Sequence, residues 1–234
     1  MQVFHSLFLV DSHGNHPEPY SLVSTEDIQT EKWKFNSEIA VALGMDAKQG
    51  QQHLEHYVTQ LKKDGKYDLT IWPYHAMLGG VGHALVPAVE EAVFFHGITR
   101  FSQPDYQTKG HNPLTENYSA LCPEVLKDGK GKTIAEPNTD LMKKLISCDT
   151  VIIAGQAKSH CVRWTIENLL EFIQKEKKQN PQNIYLLEDC TSPVVVPGVI
   201  DYTDDANEAF QRFADAGMHV IPSTIPMSEW PGLT

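Results

Sequence analysis

Apolar and polar positions alternate with two different periods along the last two thirds of the chain. Residues 68–72 (DLTIW) form a short apolar run that stops at Pro73. Val89, Ala92, Val93 and His96 then recur at helical spacing, with Pro87 placed as a first-turn residue. Leu141, Met142, Leu145 and Ile146 mark a further helix. Residues 150–154 (TVIIA) are continuously apolar and end at Gly155, the pattern of a strand buried on both faces. Val162, Ile166, Leu169, Leu170 and Ile173 form the helical stripe behind it. Residues 183–187 (NIYLL) are the next strand. Ala206, Ala209, Phe210, Phe213 and Ala214 are the next helix, closed by Gly217, and residues 219–221 (HVI) the last strand. Strands alternating with helices imply parallel pairing through right-handed crossovers. The pattern therefore predicts a three-layer α/β/α sandwich with a mostly parallel central sheet.

Before residue 68 the pattern changes. Leu54, Tyr57, Val58 and Leu61 predict an amphipathic helix ahead of Gly65, and Pro17 and Pro19 break any regular element near Gly14. Residues 21–47 have no clean period. There is no internal repeat, no low-complexity tract and no linker, so one domain over residues 1–234 is the simplest count. The KDGKGK stretch at 127–132 reads as a solvated loop.

Composition narrows the function. A chain of 234 residues that is 41% hydrophobic needs no disulfide or metal to build a core. A net charge of −11 argues against nucleic acid or an anionic membrane as the main partner. No apolar run reaches the roughly 20 residues of a membrane span. The apolar stretch Leu7, Phe8, Leu9, Val10 lacks a cationic leader and a cleavage site. Cys122, Cys148, Cys161 and Cys190 are widely spaced, with no CxxC pair. The expected setting is a reducing cytoplasm, and the question is whether one cysteine is chemical.

Ligands of open parallel sheets bind at the carboxyl ends of strands. After TVIIA comes Gly155, Gln156, Ala157, Lys158, Ser159, His160, Cys161. Cys161 falls at the start of the following helix, where the dipole and unsatisfied N–H groups favour a thiolate and can hold an oxyanion. It could equally be a small apolar residue of a first turn. Cys148 precedes its strand. Cys122 and Cys190 follow no comparable strand-to-helix turn and read as structural.

Four stretches together resemble the isochorismatase-like cysteine hydrolases, the superfamily that contains nicotinamidases. They are GQAKSHCVRWT, IWPYHAMLGGVGHAL, KGHNPLTENYSAL, and GNHPEPYSLVSTEDI with TEKW, the last similar to a larger-chain branch. The resemblance implies Cys161 as the nucleophile that attacks a carbonyl carbon. It implies Lys109 as the catalytic lysine, its cation favouring the thiolate and steadying developing negative charge. It implies a cis peptide at Ala157–Lys158, with the backbone N–H groups of Ala157 and Cys161 as the oxyanion hole. It matches His75 to a ligand of a divalent metal such as zinc, although a lone histidine reads equally as a hydrogen-bonded residue at a strand end. Trp72 and Trp164 could line a pocket for a planar substrate or pack in the core. Dimers or tetramers are also implied.

The superfamily's catalytic Asp ends its first strand, and here two alignments compete. In one, GNHPEPYSLVS is the segment that lies after the first two strands. The chain is then N-terminally incomplete, and Asp11 is a loop residue beside Gly14 and Pro17. In the other, residues 8–10 are that strand and Asp11 is the base. Asp11 and His13 also spell a D-x-H metal motif. The first alignment fits the following stretch better. The function expected is hydrolysis of a small amide or related carbonyl compound by a cysteine nucleophile. The alternative is a catalytically impaired or inactive relative serving as a binding or assembly module. A dinucleotide-binding reading of GGVGHA fails the G-x-G-x-x-G spacing.

Overall fold

The structure, a computed structural model, describes residues 6–63, 66–176 and 181–233. The chain divides into two compact units, Met1–Glu116 with Lys127–Ile134, and Asn117–Leu126 with Ala135–Thr234. The fold is mixed α/β and contains a parallel three-stranded sheet.

In the first unit, β1 (Leu9–Val10), β2 (Leu22–Val23), α1 (Thr25–Gln29), β3 (Lys34–Phe35), α2 (Ser37–Ala42), α3 (Ala47–Lys63), β4 (Leu69–Thr70) and α4 (Pro87–Arg100) follow in order. The predicted amphipathic helix is α3, which buries Leu54, Tyr57, Val58 and Leu61. Gly65, expected to follow it, lies outside the described residues. A Cβ at Gly50 would stand 2.7 Å from the Phe35 ring, so glycine lets β3 close on α3. Side-chain hydrogen bonds tie α3 to the chain beyond it. His53 donates from Nε2 to the Leu114 carbonyl (2.7 Å), and His56 from Nε2 to that of Lys127 (2.9 Å). The Tyr57 hydroxyl donates to Glu116 (3.3 Å).

The stretch with no clean period holds real elements. Ser24 and Asp27 form a reciprocal capping box that starts α1, and Asn36 caps α2. The DLTIW strand is present as β4, but it pairs antiparallel with β2, Leu22 opposite Thr70 and Val23 opposite Leu69. Parallel pairing there was the wrong expectation. Ile71 extends the antiparallel ladder by donating to the Ser21 carbonyl (2.9 Å). Helix α4 forms with Pro87 in its first turn, yet none of its residues is buried, and Phe94, Phe95 and Ile98 are exposed.

The second unit contains α5 (Thr139–Ile146), β5 (Val151–Ile153), α6 (Arg163–Glu176), β6 (Ile184–Leu187), β7 (Val195–Val196), β8 (Ile200–Asp201), α7 (Thr203–Asp215) and β9 (His219–Ile221). The sheet order is β5-β6-β9, all parallel, and β7-β8 is a separate hairpin. Two crossovers of one hand stepping the same way across a sheet put their helices on one face. Accordingly Val151, Ile184 and Leu186 share a core with Ile166, Leu169 and Ile173 of α6 and Ala209, Phe210 and Phe213 of α7. Met142 of α5 joins them. The other face carries Tyr185 and Ile221, covered by Trp230 near the C-terminus. Tyr185 is stacked between His219 (4.8 Å) and Trp230 (5.2 Å), and its hydroxyl donates to the Pro231 carbonyl (2.6 Å). β5 is an edge strand of this sheet and Ile152 is 43% exposed, so the TVIIA run is not buried on both faces as its composition suggested. Helix α7 ends as expected. Gly217 adopts φ +103°, a left-handed conformation that lets the Met218 amide donate back to the Phe213 carbonyl (3.1 Å).

Two outcomes follow from this packing. Leu169 is fully buried among α6, α7 and the sheet, so Leu169→Ala should cost about 2–5 kcal/mol in urea denaturation followed by amide exchange of β6. Burial pushes the His53 imidazole below its ordinary 6.5, and nearby His56 pushes the same way; the Leu114 carbonyl and Asp128 oppose them without prevailing. A lowered folded-state value means stability present above 6.5 that is lost as pH falls through the window beneath it. NMR titration should place His53 below 6.5, and His53→Gln should flatten the acid-side loss of stability.

Candidate functional site

Because β5, β6 and β9 run parallel, their carboxyl ends lie along one edge of the sheet. β5 feeds the segment from Gly155 to Cys161, β6 the short helical turn Glu188–Cys190, and β9 Pro222 and Ser223. Backbone and side-chain bonds lace the edge together. The Gly155 amide donates to the Cys190 carbonyl (3.0 Å) and the Lys158 amide to that of Ser192 (2.8 Å). The Gln156 side-chain oxygen accepts from the Ser192 hydroxyl (3.0 Å). Asp189 accepts from both the amide and the hydroxyl of Ser223 at 2.7 Å, and these bonds hold its carboxyl below the usual carboxylate range.

Cys161 lies in a single π-helical turn, Lys158–Val162, which runs directly into α6. The Ala157 carbonyl starts the turn by accepting from the amides of His160 (3.0 Å) and Val162 (3.1 Å). Cys161 is half-buried. Its carbonyl accepts from the Thr165 hydroxyl (2.6 Å), which in turn accepts from the Ala120 amide (3.0 Å). The neighbouring side chains point inward. Ser159 is fully buried; its hydroxyl accepts from the Val194 amide (3.0 Å) and bonds His160 Nδ1 (2.9 Å). His160 packs edge-on to the rings of Tyr118 (5.3 Å) and Tyr202 (4.7 Å). Lys158 is 5% exposed, its ammonium donating to Asn207 (2.8 Å) and Glu188 (3.2 Å).

The cis peptide of this segment is Gln156–Ala157, one bond earlier than the expected Ala157–Lys158. Ala157 is extended (φ −103°, ψ 147°), and the Ala157–Lys158 bond already belongs to the entry into the π turn, with carbonyl and amide both engaged.

The other expected site residues belong to the first unit. Lys109 is half-buried in an irregular loop beside Gly110, which has φ +77°. Asn112 shapes that loop by accepting from the Leu114 amide (2.8 Å) while its side chain donates to the Ile134 carbonyl. His75 is exposed just past β4, donating from Nδ1 to the Pro73 carbonyl (2.7 Å), with the half-buried Trp72 ring 6.3 Å away. Among the described residues no group of three or more His, Cys, Asp and Glu is arranged to hold a metal ion. The donor set around His75 therefore does not fit a divalent metal. Asp11 lies in the expected loop with Gly14. It accepts from the amides of His13 and Asn15 at 2.8 Å and from the Asn15 side chain at 3.0 Å, and the Asn15 bonds, against slight desolvation, lower its carboxyl below the ordinary value. Trp164 is a buried packing residue under the Arg163 guanidinium.

Two features escaped the sequence pattern. Cys190, read as structural, is exposed at the same sheet edge as the Cys161 turn, its thiol 3.8 Å from the Asp189 carboxylate. The strand NIYLL followed at once by EDC was the available signal. The inward-pointing polar set Lys158, Ser159 and His160 was also missed; its signal is three polar residues between an apolar strand and an apolar helix.

No family model and no curated protein matches the chain. Among solved structures it is similar to the Acinetobacter baumanii nicotinamidase, at TM-score 0.41 and 19% identity, over 68% of this chain and 62% of that one. It is similar to the yeast nicotinamidase bound to nicotinaldehyde, at 0.43 and 19%, over 67% and 62%. A pyrazinamidase of Pyrococcus horikoshii in complex with zinc matches at 0.38 and 20%, over 72% and 82%. The chain thus spans 62% of the length of the first two. A likeness this loose bears on no residue's role and on no substrate.

Ser159→Ala should leave the Val194 amide and His160 Nδ1 without that oxygen. The expected loss is about 1–3 kcal/mol of stability in urea, with faster exchange at the Val194 amide.

Proposed function

We propose that this chain is a cysteine hydrolase of the isochorismatase-like type, acting on a small amide or related carbonyl compound in a three-layer α/β/α setting. The observation that carries the reading is the place of Cys161. It is half-buried on an irregular turn at the carboxyl end of β5, at the mouth of α6. A strand end that delivers a thiol to a helix start is where a thiolate and an oxyanion can both be held by backbone N–H groups. The GQAKSHCVRWT resemblance supports it independently.

In this reading the Cys161 sulfur attacks the carbonyl carbon. The C–N bond breaks, and the amine departs with a proton. Water then cleaves the thioester to the acid and regenerates the thiol. The backbone N–H groups of Ala157 and Cys161 are assigned to the developing oxyanion, and the resemblance of the KGHNPLTENYSAL stretch assigns Lys109 the role of catalytic cation. No step runs through a metal. The protein assembles as a homo-oligomer.

One observation favours the alternative of an impaired binding module. Asp11 spends its carboxylate on its own loop, and no other residue is assigned as base. General acid–base help is typically worth about 10²–10⁴-fold, so turnover should be slow.

The test is ammonia release from a panel of small amides, nicotinamide included, with alkylation mapping on the same protein. Slow release that Cys161→Ala abolishes, with limiting iodoacetamide landing first on Cys161, supports the reading. Release that survives Cys161→Ala, or preferential labelling of Cys122, Cys148 or Cys190, overturns it. Lys109→Ala should slow Cys161 alkylation by about tenfold; an unchanged rate removes Lys109 from the site. Brisk hydrolysis abolished by Asp11→Asn in a folded protein would restore Asp11 as the base.

A further inference from the structure

We propose that Lys158 is a positioning residue whose buried ammonium clamps the Cys161 turn onto α7 and the end of β6. The proposal rests on the hydrolase reading only for what the turn is for.

A lysine is rarely buried unless its charge is satisfied. Lys158 is 5% exposed, and its ammonium meets three different groups. It donates to the Asn207 side-chain oxygen at 2.8 Å and to Glu188 at 3.2 Å, and it stands 4.5 Å from the centroid of the Phe210 ring. Asn207 and Phe210 are on α7, and Glu188 begins the turn after β6. The backbone of the same residue is held separately, its amide donating to Ser192. The side chain therefore adds what the backbone does not: a direct bond between the π-helical turn and α7. A π-helical turn is an irregular piece of chain whose shape is set by its surroundings. Cys161 is three residues along it, so the orientation of its thiol and amide depends on where Lys158 is pinned.

The environment also separates positioning from bulk stability. Glu188 has a side chain that is 55% exposed, so removing its partner leaves a solvated carboxylate and not a stranded buried charge. Phe210 lies beneath the ammonium and can receive an apolar chain of similar length. Lys158→Met should therefore fold.

The experiment compares wild type, Lys158→Met and Asn207→Leu in the full chain. Lys158→Met should melt within about 3 °C of wild type, whereas Asn207→Leu, which takes one acceptor from a buried ammonium, should melt lower while still folding. The amides of residues 159–162 should exchange about tenfold faster in each, the scale of one charged hydrogen bond, while those of Ile166–Leu170 in α6 stay unchanged. If amide turnover is measurable, kcat should fall about tenfold with KM little altered, because a displaced nucleophile affects the reacting geometry more than binding. Exchange at 159–162 that matches wild type in both variants overturns the proposal. So does loosening that spreads equally through α6, which would make Lys158 a general stabiliser. Should Lys158→Met not fold, Asn207→Leu decides on the same two readouts. A wild type that hydrolyses no amide counts against the hydrolase reading alone; the exchange pattern still decides the role of Lys158.

Discussion

The parallel register of β5 with β6, Val151 opposite Ile184 and Ile153 opposite Leu186, is the constraint on which the second unit depends. Side chains alternate across a sheet, so this register sends Val151, Ile184 and Leu186 to one face and Tyr185 to the other. A slip of β5 by one residue against β6 would turn Val151 away from that core and put Ile152 under α6 in its place. The same register brings the carboxyl ends level, so that Gly155 can reach the Cys190 carbonyl and Lys158 the Ser192 carbonyl. The turn that carries Cys161 is thus a product of strand pairing as much as of its own sequence.

The strand-and-helix skeleton was legible where one period runs unbroken. α3, α5, α6 and α7 arise from stripes of apolar residues at helical spacing, and β9 has the expected bounds. Short elements were less legible. α1 is five residues long and shows no periodicity, yet its start is written in the Ser24 and Asp27 pair, a local signal that needs no stripe. Pairing direction is not a local property at all. DLTIW has the same composition whether its neighbour runs parallel or antiparallel, and only the return of the chain through Leu22 and Val23 decides it.

At the candidate site, residue types were easier to read than their directions. Cys161 was marked by a strand ending in glycine ahead of an apolar helix. Lys158 was singled out as a backbone position, whereas its side chain proves to be the buried group. Nothing in one sequence says that Asn207 and Phe210, about fifty residues on, lie against it; that proximity comes from α7 packing on the same sheet face as α6. His75 likewise has a metal-ligand residue type, but among the described residues no second and third ligand gather with it.

The two faces of the parallel sheet are covered by different kinds of chain. One is closed by crossover helices, which cannot leave without unthreading the strands they connect. The other is closed by the segment after β9, through Trp230 stacked on Tyr185 and the Pro231 carbonyl bonded to the tyrosine hydroxyl. The segment after β9 contributes no strand to this sheet, so it can open with every strand still paired, at a fraction of the free energy of global unfolding. The indole of Trp230 therefore works as a built-in reporter, changing its emission when the cover lifts while the ladder beneath stays intact. A fusion or cleavage near Pro231 acts on that cover first, wetting the aromatic face of the sheet before any helix is disturbed.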